Sequence, residues 1–325
     1  VFAVIKDLNA LSLHDLYGAL SRTGLIRRLI ELARDEDLAP GGGLGGEWAG
    51  LTGDVTSNAC PFDAKERTAL LRARVPGVVC GVAVTADVLS MMAPQCKFAP
   101  MKRDGSDMHA GETIAEIAGP IRQILAAERT LLNLVGRLSG IATRTRTFLA
   151  AMGGDFGTSN TKLCDTRKTT PGMRVLEKYA VRCGGGYCHR FGLFDAMLIK
   201  DNHIAHLTPE QLPAFVRGAA EAGRRQSGGR LTFVEVEVDS LTQLDALMTL
   251  EPGVVDIILL DNMGPQALSQ AVAIRNRKGT KPELEASGGV NLETIAAIAQ
   301  TGVDRISVGS LTHGAVSLDV GLDVK

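Results

Sequence analysis

The sequence predicts an α/β chain: a mixed N-terminal region followed by an incomplete α/β barrel. Three observations carry that prediction. Short apolar strands recur through the C-terminal half, each running directly into polar or glycine residues. Helical stretches separate them, so a new strand begins roughly every 20 to 40 residues, the length of one strand-helix unit. Chemistry-capable side chains stand at the C-terminal end of nearly every strand, which is where a barrel places its site. An open sheet would gather them at one switch point, and no Gly-x-Gly-x-x-Gly fingerprint follows a first strand.

In chain order, residues 13–32 read as one or two amphipathic helices with an Arg-rich outer face. Pro40-Gly41-Gly42-Gly43-Leu44-Gly45-Gly46 reads as a flexible connector, because no Lys-Ser/Thr follows to make it a phosphate-binding loop. Residues 67–74 and 77–84 read as strands joined at the turn pair Pro76-Gly77, and 111–118 as a further strand, giving a small α+β layer. At Gly119-Pro120 the pattern changes. Pro120 suits a first helical position, and apolar residues from Ile124 through Leu131, Val135, Leu138 and Ile141 to Phe148 recur with helical period, as one long helix or two in series.

Beyond it the strands are Lys162-Leu163-Cys164, Ala196-Met197-Leu198-Ile199, Phe233-Val234-Glu235-Val236, Ile257-Ile258-Leu259-Leu260, Leu284-Glu285-Ala286 and Arg305-Ile306-Ser307-Val308. Helices over 209–224, 241–250, 265–277 and 292–301 lie between them. Apolar strands alternating with helices make a parallel sheet with right-handed crossovers. Six strands are visible, fewer than a full barrel has, so the barrel is expected to be incomplete.

The bulk properties narrow the function. At 325 residues the chain suits one large α/β unit or two domains. Lys and Arg total 35 against 36 Asp and Glu, which leaves no global basic field to hold nucleic acid or an acidic membrane. Six scattered cysteines are too few for a disulfide framework and suit a reducing cytosol. Cys183 and Cys188 lack the second Cys/His pair that a zinc site needs. No apolar run approaches the roughly 18 residues of a bilayer span, and the N-terminus lacks a signal-peptide profile, so a soluble cytoplasmic protein is expected.

Against this neutral background one segment is locally cationic. Asp165-Thr166-Arg167-Lys168 and Thr169-Thr170-Pro171-Gly172, then Gly184-Gly185-Gly186 with His189-Arg190, then Lys200-Asp201-Asn202-His203 combine guanidinium forks, ammonium groups and glycine turns. Such a set binds a small multi-anionic substrate. Glu237 and Asp261 end neighbouring strands; carboxylates there can hold Mg²⁺, accept ribose hydroxyls or balance Lys168 and Lys200. Glu235 shares the strand face of Glu237, which lies nearer the rim. Ser287-Gly288-Gly289 and Gly309-Ser310 are glycine turns before helix starts, the usual barrel phosphate site. A strand-end Lys168 or Lys200 could alternatively form a Schiff base in a barrel lyase.

Together these motifs, with Gly53-Asp54-Val55-Thr56, Gly111-Glu112-Thr113, Glu128-Arg129-Thr130-Leu131-Leu132-Asn133 and Leu259-Leu260-Asp261-Asn262, resemble the quinolinate phosphoribosyltransferase family of type II phosphoribosyltransferases over nearly the whole chain. The resemblance implies an N-terminal α/β sandwich over 1–129, which the tail 314–325 can join, and an incomplete seven-stranded barrel over 130–313. It also implies transfer of phosphoribosyl from phosphoribosyl pyrophosphate to quinolinate with decarboxylation, with Mg²⁺ as cofactor, in a homodimer. By position Arg129 resembles an arginine donated by the partner subunit, and Thr166, Arg167, Lys168, His189, Arg190 and Lys200 the quinolinate and phosphoribosyl pocket. Lys168, Lys200, Glu237 and Asp261 resemble the catalytic set, Glu237 and Asp261 the ribose and metal carboxylates, and Ser287, Gly288 and Gly309 the 5′-phosphate contacts. Thr170 and Met173 stand where the family commonly has leucine, and the interval from Glu237 to Asp261 is somewhat longer than usual.

Overall fold

The structure is a computed structural model and describes residues 7–41, 44–63, 65–153, 161–279 and 282–325. Its strands, in chain order, are β1 (Glu66–Ala73), β2 (Gly77–Val78), β3 (Lys97–Pro100), β4 (Asp107–Met108), β5 (Thr113–Pro120), β6 (Lys162–Cys164), β7 (Met197–Ile199), β8 (Val234–Val238), β9 (Ile257–Asp261), β10 (Glu283–Ser287), β11 (Arg305–Ser307) and β12 (Val320–Val324). They divide between two units. One comprises 11–146, 169–185 and 312–325; the other 1–10, 147–168 and 186–311. The boundary drawn from sequence at 129/130 therefore falls inside a helix, and the C-terminal residues from Thr312 belong with the N-terminal unit.

In that N-terminal unit β12, β1, β5 and β3 form a four-stranded sheet, with antiparallel pairing throughout. Leu71 and Ala73 of β1 and Ile114 and Ala115 of β5 join Val135 and Val320 in a buried core. The helices Leu13–Ser21 and Leu25–Leu38 resolve the sequence reading of one or two helices into two. Of the glycine connector at 40–46, Gly42 and Gly43 lie outside the described residues.

Two readings in this unit need correction. Residues 77–84 are not one strand: β2 ends at Val78 and a helix runs Val82–Met92. The valine-rich sequence reads as β, but Asp104 overrides it by accepting hydrogen bonds from the N–H groups of Gly81 (2.8 Å), Val82 (2.9 Å) and Ala83 (3.2 Å). Those are donors that a helix start leaves orphaned. Pro120 is not the first helical residue either. It closes β5 opposite Glu66, and the helix Ile121–Ala151 begins one residue later as a single element. Gly140 of that helix has no room for a side chain: a Cβ would stand 2.0 Å from the Val316 carbonyl oxygen, so the C-terminal segment packs directly on helix backbone.

The other unit holds a six-stranded parallel sheet in the order β6-β11-β10-β9-β8-β7, as the alternation of strands and helices predicts. All of β8 is buried, the pattern of a strand covered on both faces. Beside β6, an isolated parallel bridge pairs Cys164 with Tyr187. The helices between strands run Leu212–Gln226, Leu241–Leu247, Pro265–Lys278 and Ile295–Ala299, at the expected places with shifted ends.

Candidate active site

The parallel sheet carries the cations and carboxylates at one edge. Lys200 follows the last residue of β7, whose Ile199 pairs with Val236, so Lys200 comes level with Glu237 on β8. The Lys200 ammonium closes an ion pair on Glu237 Oε2. Asp261 ends β9 directly opposite Ser287 at the end of β10, and Gly309 lies two residues past the end of β11. Asp165 through Lys168 follow β6, where the Thr166 hydroxyl accepts the Lys168 N–H at 3.0 Å and tightens the turn. All these groups sit at C-terminal strand ends, the functional end of a parallel α/β layer.

His189 and Arg190 reach the same edge from the Tyr187 bridge. The Asp165 side chain accepts the His189 N–H at 2.8 Å, tying this segment to the end of β6. Arg190 is buried, and its pKa is lowered first by that burial and then by the neighbouring Arg167 guanidinium. Two crowded guanidiniums of like charge are stabilised by an anion between them.

Behind His189 lies a buried ionic cluster. His189 Nε2 stands 3.0 Å from Glu235 Oε2 and 3.2 Å from Glu285 Oε1, and Arg305 Nε donates to Glu285 Oε2 at 2.6 Å. Burial would raise the Glu285 pKa, but His189 and Arg305 outweigh it and hold this carboxyl at about 2. Burial does raise the pKa of Glu235. It would lower that of His189, but the two carboxylates push the imidazole up to about 10. His189 Nδ1 faces the Arg190 backbone N–H at 2.8 Å while Nε2 faces the two carboxylates, so both ring nitrogens are committed.

Three ligand-type atoms within 4.8 Å of one another also invite a metal reading of His189, Glu235 and Glu285. The Nδ1 contact opposes it. A metal on Nε2 would force the proton onto Nδ1, where it would face the Arg190 N–H, and the Arg305 guanidinium already supplies the buried positive charge. Glu237 and Asp261, by contrast, are hard oxygen donors at the ends of adjacent strands and suit Mg²⁺.

Among the residues singled out from sequence, Thr166, Arg167, Lys168, His189, Arg190, Lys200, Glu237, Asp261, Ser287, Gly288 and Gly309 all lie in the unit with the parallel sheet. Arg129 lies in the other unit, exposed on the helix Ile121–Ala151. Sequence reasoning gave no role to Asp165, Glu285, Arg305 or Asn262. A signal for the first group was present: Glu283 and Glu285 on β10, like Glu235 and Glu237 on β8, put carboxylates at alternate positions of otherwise apolar strands, and inward acids need partners.

Comparison with known proteins agrees with this layout. The family profile "Quinolinate phosphoribosyl transferase, N-terminal domain" matches residues 54–139, and the profile for the C-terminal domain matches 141–323. A probable nicotinate-nucleotide pyrophosphorylase (carboxylating) of Bacillus subtilis (strain 168) is 40% identical over 273 residues, 84% of this chain and 88% of that protein. The nicotinate-nucleotide pyrophosphorylase (carboxylating) of Mycobacterium leprae (strain TN) is 41% identical over 275 residues, 83% of this chain and 91% of its own length. The solved structure of the nicotinate-nucleotide pyrophosphorylase from Francisella tularensis superposes with a TM-score of 0.79 at 33% identity, covering 98% of this chain and 99% of that one.

Proposed function

The chain belongs to the quinolinate phosphoribosyl transferase family, and from that premise we propose that it transfers phosphoribosyl from phosphoribosyl pyrophosphate to quinolinate, releasing pyrophosphate and CO₂ and leaving nicotinate mononucleotide for NAD synthesis. The observation that carries the reading is the single sheet edge at which paired guanidiniums, Lys200 with Glu237, Asp261 and the Ser287–Gly288 turn all stand.

Each part of that edge has a task. Arg167 and Arg190, with Lys168, hold the quinolinate carboxylates and orient the ring nitrogen, so that attack becomes a matter of positioning, while His189 fixes the Arg190 segment from behind. The nitrogen lone pair forms the bond to the anomeric carbon as the carbon–oxygen bond to pyrophosphate breaks, and the leaving group takes the electron pair. Glu237 and Asp261 stabilise the positive charge that develops on the ribose ring, and Lys200 faces the departing phosphates. Ser287, Gly288 and Gly309 cradle the 5′-phosphate through backbone N–H groups. The positive charge on the quaternised nitrogen then stabilises the electron pair left on the adjacent ring carbon as its bond to the carboxylate breaks; CO₂ leaves and that carbon takes a proton with the pair. Glu237 and Asp261 would hold Mg²⁺, which when bound neutralises charge on the pyrophosphate.

In this reading the parallel-sheet unit is an incomplete seven-stranded barrel and the other unit an α/β sandwich. The enzyme works as a cytoplasmic homodimer in which the exposed Arg129 of one subunit completes the carboxylate clamp of the other. Incubation with quinolinate, phosphoribosyl pyrophosphate and Mg²⁺, followed by mass spectrometry, tests the reading: nicotinate mononucleotide is the expected product, and a nucleotide retaining both carboxylates would reject the decarboxylating step. Borohydride added to the same mixture should trap no adduct on Lys168 or Lys200, whereas a Schiff-base lyase would be trapped covalently.

A further inference from the structure

Asp261 is followed by a residue in an unusual conformation. Asn262 has φ +53°, the left-handed region that asparagine tolerates better than most residues with a side chain. That conformation lets it make three contacts at once. Its amide Nδ2 donates to Asp261 Oδ2 at 2.8 Å. Its backbone N–H donates to the Ser287 carbonyl at 2.9 Å, one step beyond the point where Asp261 and Ser287 pair. Its side-chain oxygen fills the space beside Gly288, where a Cβ would lie only 2.2 Å away. Gly288 itself has φ +88°, so its lack of a side chain meets two demands, the turn and the asparagine.

We infer that Asn262 is a positioning residue that locks the Asp261 carboxylate to the Ser287–Gly288 turn. The inference rests on the functional reading above, in which Asp261 faces the ribose and the metal and the turn takes the 5′-phosphate. One substrate, phosphoribosyl pyrophosphate, spans both places. A residue that fixes the carboxylate rotamer and the turn in mutual register therefore acts on that substrate and not on quinolinate. The αL backbone and the amide make separable contributions: the backbone aims the N–H at Ser287, and the amide orients Asp261.

Steady-state kinetics with each substrate varied separately test this, comparing wild type with Asn262→Gly and Asn262→Ala. Glycine keeps the left-handed backbone and loses only the side chain, so it guards against a simple failure to fold. The expected result is a rise of about tenfold in KM for phosphoribosyl pyrophosphate in Asn262→Gly, the scale of one hydrogen bond to a charged group. KM for quinolinate should stay within about twofold, since the amide does not face that substrate. Asn262→Ala, which also strains the backbone, should be worse than Asn262→Gly for phosphoribosyl pyrophosphate. Unchanged KM for phosphoribosyl pyrophosphate in Asn262→Gly, or equal rises for both substrates, would overturn the positioning role while the functional reading stands. A wild-type enzyme that turns over neither substrate would overturn the functional reading, and the positioning role with it.

Discussion

Lys200 and Glu237 form an ion pair across the ends of neighbouring parallel strands, with the lysine side chain 45% exposed and the glutamate 10%. The asymmetry decides what each loss does. Removing the lysine leaves a carboxylate that is almost out of water without its counter-charge, whereas removing the glutamate leaves an ammonium that can rehydrate.

Lys200→Ala is therefore expected to lower kcat by about a hundredfold or more, through loss of charge facing the departing phosphates and a stranded Glu237. Glu237→Gln should reduce kcat while costing little stability. Steady-state kinetics and thermal melts of the two single variants and the double variant separate the contributions, with the double variant recovering stability but not turnover.

Arg167→Ala should abolish turnover and leave the fold intact. Its guanidinium is one of the two like charges at the anion site, so the variant loses the carboxylate clamp, an effect of about 2 to 5 kcal/mol, and relieves the part of the Arg190 pKa depression that does not come from burial. Circular dichroism unchanged from wild type with near-zero activity is the expected pair of results. Near-normal activity would remove Arg167 from the clamp.

Glu177 is a stability prediction from the N-terminal unit. It is fully buried and accepts hydrogen bonds from Thr170 N–H (3.1 Å), the Thr170 hydroxyl (2.9 Å), and Arg137 Nε (3.2 Å) and Nη2 (2.8 Å), while Arg137 also donates to the carbonyls of Thr312 and Ala315. Glu177→Ala strands a guanidinium and a backbone donor and should destabilise by about 3 to 5 kcal/mol in urea unfolding. Thr170→Val removes only the hydroxyl contact and should cost about 1 kcal/mol.

Glu285 gives a pH dependence of stability. Its folded-state pKa of about 2 lies below the ordinary 4.5, so its contribution is present above pH 4.5 and is lost as the pH falls through the folded value. Urea unfolding between pH 5 and pH 3 should show wild-type stability declining on acidification, and Glu285→Gln should flatten that limb. An equal slope in both proteins would contradict the depressed pKa.

Much of this edge was legible in the sequence because parallel strands advertise themselves: each apolar run stops at a charge or a glycine, and the stop is the site. Lys200, Asp261 and Ser287 stand where that logic puts them. The misreadings arise from non-local partners. Val82 through Met92 became a helix because Asp104, more than a turn away in sequence, caps it, and no window on that segment contains Asp104. The helix Arg174–Cys183 went unread because Pro171-Gly172 and charged residues mask its start, while its burial comes from tertiary packing. From sequence His189 reads as one member of the anion-binding set. Its ring nitrogens are committed to Arg190, Glu235 and Glu285, which only the folded sheet brings together. Asn262 likewise reads as a turn residue until Ser287 and Gly288 arrive beside it.

The most direct measurement uses quinolinate carrying isotopic carbon in the carboxylate next to the ring nitrogen, incubated with the protein, phosphoribosyl pyrophosphate and Mg²⁺. Labelled CO₂ is expected, released one for one with nicotinate mononucleotide and pyrophosphate. Nucleotide formation with the label retained, or CO₂ release without phosphoribosyl pyrophosphate, would contradict that expectation.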